Sequence, residues 1–115
     1  MNAQGPGPAL DRQVALLRVG GDAELLKEIA VIFLEDYPRV LVEIRDAIAG
    51  NDAKQLETSA HTLKGSVANF GAAAVVASAL RLEQMGRAAR LDQSSDVLHT
   101  LEAGLCTLRA ELEAL

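Results

Sequence analysis

The stretch Asp52–Gly71, DAKQLETSAHTLKGSVANFG, carries its apolar residues Leu56, Ala60, Leu63, Val67 and Phe70 in steps of four, three, four and three. That spacing keeps side chains on one face of an α-helix, whereas a strand would alternate them every second residue. Asp52 stands where an N-cap is wanted, because its carboxylate can accept from the free N–H groups of a first turn, and Asn69 to Gly71 supply the stop. Upstream, Gly50 and Asn51 close a helix that begins after Asp22 and runs to Ala49, with Leu25, Ile29, Ile32, Phe33, Val40, Leu41, Ile44 and Ile48 as its inner face. Pro38 removes one backbone donor from that helix, so a kink near Tyr37 is expected rather than a break. Earlier still, Asp11 caps a short helix with Val14, Leu17 and Val19, ended by Gly20 and Gly21. Downstream comes a helix with Val75, Val76, Ala79, Leu80 and Leu82 inward, closed by Gly86. The last helix starts near Leu91 or Asp92 and carries a seam of Leu98, Leu101, Leu105, Leu108, Leu112 and Leu115. No run alternates with the period of a strand. The periods predict an all-α fold, an up-down-up-down four-helix bundle with a short additional N-terminal helix. The bundle spans residues 10–115, and residues 1–9, rich in Gly and Pro with little to bury, form a flexible N-terminal tail.

The composition agrees. Hydrophobic residues make up 50% of the 115 positions and aromatics only 3%, so one core must be built from Leu, Val, Ile and Ala, which favours helix on helix. A formal charge of -5 disfavours nucleic acid and anionic membrane surfaces, both of which demand a basic face, and points to protein partners. No apolar run reaches the ~18 residues needed to span a bilayer and no secretory leader is visible, so a cytoplasmic chain without membrane insertion is expected. A single cysteine, Cys106, cannot form an internal disulfide and is read as a small buried hydrophobe.

The chemistry concentrates on the outer face of the opening stretch. At ~100° per residue, His61 lies roughly 150° from the centre of the apolar stripe and is therefore exposed. Lys54, Glu57, Thr58, Lys64, Gly65 and Ala68 share that side. A glycine inside a helix costs about 1 kcal/mol relative to alanine, so Gly65, one turn from an exposed histidine, asks for a reason. Open space above the imidazole, through which a bulky reactant can approach, is one. A neutral imidazole is a competent nucleophile near pH 7. Lys64 can offset anionic charge on a reacting group, and Glu83, from the facing helix, is placed to hold the second ring nitrogen.

The run Ala60-His61-Thr62-Leu63-Lys64-Gly65-Ser66, followed by Asn69-Phe70-Gly71, resembles the signature of histidine-containing phosphotransfer (Hpt) domains. Gly21-Asp22, Leu25-Leu26, Phe33-Leu34 and Pro38 before it, and Leu82-Glu83 with Gly86-Arg87 after it, extend the resemblance over most of residues 10–115. The resemblance implies that His61 accepts a phosphoryl group, that Lys64 supports it, and that Gly65 keeps the site open. Ser66 matches a small residue used in packing, and Glu83 matches the place of a Gln or Glu that orients the histidine in some members. The partners it implies are response-regulator receiver domains or a hybrid sensor histidine kinase, with Mg²⁺ held by the receiver and no cofactor in this chain. Docking is expected on an apolar patch formed by Val14, Leu17, Arg18 and Ala68 together with the start of the second helix. No Gly-rich nucleotide-binding segment is present, so a monomeric phosphocarrier rather than an ATP-using enzyme is expected.

Other readings compete. A lone exposed histidine is ordinarily a solvated side chain, and only its company makes His61 a candidate. Glu57 and His61, four apart and facing outward, lack a second carboxylate–histidine set, which disfavours a metal site. His99 reads as a packing or surface residue. A non-phosphorylated adaptor that sequesters a response regulator would have the same bundle, but it would not need a nucleophile beside a costly glycine.

Overall fold

The computed structural model describes residues 8–115. Five helices follow in order: α1 (Arg12–Arg18), α2 (Ala23–Ala49), α3 (Ala53–Ala68), α4 (Ala73–Arg87) and α5 (Ser94–Glu113), with no strand among the described residues. Asp11, Asp22 and Asp52 cap the first three as expected, each side chain accepting from a backbone N–H three residues on. Short connections turn each long helix back beside the last. Helix α2 packs on α3, α3 on α4, α4 on α5, and α5 returns to α2, so the four enclose one core. Leu56, Leu63 and Val67 of α3 meet Leu82 of α4 and the α5 seam Leu101, Leu105 and Leu108 there. Phe70 is fully buried with its ring centroid 5.2 Å from that of Phe33, edge to face.

Several positions depart from the sequence reading. In the first half of α2 the buried residues are Leu26, Ala30 and Phe33, while Leu25 is 40% and Ile32 64% exposed. The doublets Leu25-Leu26 and Ile32-Phe33 fit two registers one residue apart. Ala30, small enough for α2 to lie close to its neighbours, belongs to the chosen one. Helix α2 continues through Pro38 without interruption. Second, Gly86 does not end α4. It is buried inside the last turn, and a Cβ there would lie 2.6 Å from the backbone nitrogen of Glu57 and 2.7 Å from the carbonyl oxygen of Ala53. The reversal is made by Ala89, whose φ is +56°. Third, Cys106 is exposed, because it lies outside the leucine seam. Helix α5 also starts later than Leu91 or Asp92, since Ser94 folds its N–H and hydroxyl back onto the Leu91 carbonyl. Leu80, expected inward, is 38% exposed.

The N-terminal segment is strapped to the bundle. Glu111 Oε1 accepts from the N–H groups of Ala9 and Leu10, and the Asp11 N–H donates to the carbonyl of Phe70. Ala9, placed in the tail by its sequence context, is therefore held by the last helix. Residues 1–7 of that tail lie outside the described residues. Among the described residues no helix is long and apolar enough to cross a membrane.

Candidate functional site

Helix α3 turns its stripe into the core and thereby lifts His61 outward, with the side chain 67% exposed. Across the groove, α4 contributes Glu83, the one buried charged residue among the described residues, with its side chain only 5% exposed. Gly86 makes this approach possible. Without a Cβ on the fourth-helix turn next to Glu83, the α4 backbone closes on Glu57 and Ala53 of α3.

Four side chains converge. Glu83 Oε2 lies 3.0 Å from His61 Nδ1 and 3.1 Å from Arg87 Nη2. The Lys64 ammonium is 2.7 Å from the other oxygen, Oε1, off the direction of a hydrogen bond, so it acts there as a close ion pair. Arg87 also sends Nε to Glu57 Oε2 at 2.9 Å. The Lys64 ammonium holds the Glu83 carboxyl below its ordinary range and the His61 imidazole adds to this, against the opposing effect of burial. Glu83 is therefore a carboxylate, which can only accept. Nδ1 of His61 must then carry the proton and donate to Oε2, leaving the lone pair on Nε2. The geometry thus selects a tautomer.

The sequence-based site residues fall in three groups. His61, Lys64 and Glu83 are brought together, and Glu83 sits where the register of α4 put it. Lys64 is not a free surface cation: it is turned onto Glu83 with its side chain 27% exposed. Gly65 is open, since a Cβ there would meet nothing within 4 Å. The patch is split. Leu17 is 79% exposed and Arg18 and Ala68 border the surface, but Val14 is half-buried and its Cβ would lie 2.8 Å from a Cβ on Gly71. Val14 is thus occupied by the close approach of α1 to the α3–α4 turn. Ile32, assigned to the core by its sequence period, instead extends the patch. Arg18, Val19, Ile29, Ile32 and Asn69 line one shallow groove, and Ile29, Ile32 and Asn69 also line the next, which reaches Leu63 and Ser66 beside Gly65.

Arg87 was absent from the sequence-based site. The signal was present in the four-residue step from Glu83, which sets the two side chains on one face of a helix. Its contact with Glu57, by contrast, crosses between helices and has no local signature.

A helical bundle that lifts one imidazole into solvent and ties its inner nitrogen to a buried carboxylate is built to present the outer nitrogen to another molecule. The sequence profile of the Hpt domain matches residues 28–115, and the chain belongs to that family, the histidine phosphotransfer phosphocarriers of phosphorelays. The fold also matches the crystal structure of histidine-containing phosphotransfer protein B from Pseudomonas aeruginosa PAO1, with a TM-score of 0.86, 22% sequence identity and 95% of each chain covered. At that identity the likeness speaks for the fold. No curated protein matches the chain by sequence.

Proposed function

We propose that His61 is the phosphoacceptor and that the chain takes a phosphoryl group from the aspartyl phosphate of a receiver domain and passes it to another. The observation that carries this reading is the Nδ1–Glu83 contact of 3.0 Å, which leaves Nε2 free on an open helix face. The Nε2 lone pair attacks phosphorus, the bond from phosphorus to the aspartyl oxygen breaks, and the carboxylate leaves with the electron pair. The proton stays on Nδ1. The positive charge that develops on the ring is offset by Glu83, and Lys64, beside the same carboxylate, faces the incoming phosphoryl charge. Gly65 admits the partner, which docks along Leu17, Arg18, Ile32 and Ala68. The divalent cation for transfer belongs to the receiver, and the chain acts as a monomer in the cytoplasm.

Phosphorylated receivers, incubated as a panel with the chain and with its variants, test this. His61→Gln should abolish acceptance and His99→Gln should retain it, because His61 is the histidine whose Nδ1 is held by Glu83 and whose helix face is opened by Gly65. The label should be acid-labile and alkali-stable, as a phosphorus–nitrogen bond is, and mass spectrometry should locate it on His61. Retained transfer in His61→Gln would falsify the assignment. Binding of a receiver with no transfer from any member of the panel would favour the adaptor reading instead.

A further inference from the structure

Glu83 has more partners than orienting an imidazole requires. A single carboxylate oxygen, Oε2, serves both His61 Nδ1 and Arg87 Nη2, at 3.0 and 3.1 Å. The same guanidinium reaches back across the helix pair to Glu57, 2.9 Å from Nε. Arg87 itself is 65% exposed, so what fixes it is this fork rather than packing. A guanidinium is planar and rigid, and two carboxylates on different helices, one on Nε and one on Nη2, leave it little freedom to turn. Glu83 by contrast lies at the end of a flexible side chain. With only Lys64 and the imidazole on it, the carboxylate could rotate and exchange oxygens between them.

We infer that Arg87, anchored by Glu57, is a positioning residue that locks the Glu83 carboxylate with Oε2 toward Nδ1 and so sets the tautomer and orientation of His61. This deepens the reading of His61 as phosphoacceptor and rests on it. Glu57 then acts at two removes: it touches neither the imidazole nor the phosphoryl group, and it works through the direction in which it holds Arg87. The charges also close locally. Lys64 and Arg87 face Glu83 and Glu57, so the fork supplies a rigid donor to Oε2 without leaving an excess of charge under the imidazole.

The expected signature is spectroscopic and precedes any chemistry. In the unphosphorylated chain, nitrogen-15 NMR of the His61 ring should show the Nδ1–H tautomer dominant. Arg87→Ala should shift the ring toward a mixture of tautomers, and Glu57→Ala should do the same with Arg87 still present. Glu57→Gln keeps an oxygen to accept from Nε and should restore most of the wild-type signature. Arg87→Lys should not, because an ammonium cannot span both carboxylates in a fixed plane. In single-turnover transfer from a phosphorylated receiver, Arg87→Ala and Glu57→Ala should slow the chemical step by between about tenfold and a hundredfold, the range expected when a reacting group is misplaced. Circular dichroism establishes that each variant is folded. A wild-type tautomer pattern in folded Arg87→Ala overturns the inference, whatever the transfer assay reads. Loss of transfer from every receiver in the wild-type chain, with the tautomer pattern responding as expected, overturns the phosphoacceptor reading while leaving the lock in place.

Discussion

Two glycines in the α3–α4 pair do opposite things, and the residue scale is where they separate. Gly65 stands in a helix interior with open space above it, so its missing Cβ contributes nothing to packing and costs the helix about 1 kcal/mol relative to alanine. Its use must lie outside the folded chain. Gly65→Ala should therefore raise stability by about 0.5–1 kcal/mol in urea denaturation while slowing phosphoryl transfer, and Gly65→Leu should slow it further. A faster or unchanged transfer rate in both would remove steric access as the reason for the glycine. This position was legible in the sequence, because an exposed face, a histidine one turn away and a propensity penalty are all local facts. Arg87 was harder to read. Its step to Glu83 is local, but the reach of its Nε to Glu57 depends on how closely two helices lie, which no window of sequence records.

At the scale of elements, the α3–α4 contact is what turns a helix carrying His61 into a site. The sequence placed the helices and most of their inner faces correctly, since a stripe such as Leu56 to Phe70 has one register that buries it. It failed where neighbouring apolar residues allowed two. In α2 the pairs Leu25-Leu26 and Ile32-Phe33 left the choice to the packing of Ala30 against the other helices, and the surplus apolar side chains became surface. It failed again at Gly86, where a helix-ending glycine and a close-approach glycine look alike in sequence. The distinction has a measurable consequence. A methyl group at position 86 would fall 2.6 Å from the Glu57 nitrogen and 2.7 Å from the Ala53 oxygen, both backbone atoms that cannot swing aside. Gly86→Ala should thus push α4 from α3 and destabilise the bundle by about 1–3 kcal/mol, as overpacking does. Because Glu83 is carried on the adjoining turn, the variant should also weaken the His61–Glu83 contact, read as a loss of the Nδ1–H signal in NMR. A stability equal to wild type would mean that Gly86 only terminates α4.

For the whole molecule, acid is the perturbation that reaches the site and the fold together, since Glu83 belongs to both. Its carboxylate is shielded mainly by the side chains that it binds, with His61 and Arg87 still largely exposed above it, so its contribution to stability is screened and modest. The direction is nevertheless set. A carboxyl held below its ordinary range when folded favours folding at pH values above that range, and the benefit is lost as pH falls through the depressed value. Replacing Glu83 with Gln keeps an oxygen that can accept from Nδ1 and removes the charge. Near pH 7 the wild-type chain should therefore be the more stable of the two. As pH drops from about 5 toward the acid limit, the two denaturation curves should converge, while other carboxylates lower both alike. Transfer should persist in Glu83→Gln, because Nδ1 can still donate to an oxygen there and Nε2 keeps its lone pair. A gap between the two chains that stayed constant across the acid range would show that Glu83 carries no folding-linked proton, and with it would go the charge balance through which Lys64 and Arg87 hold the imidazole's partner in place.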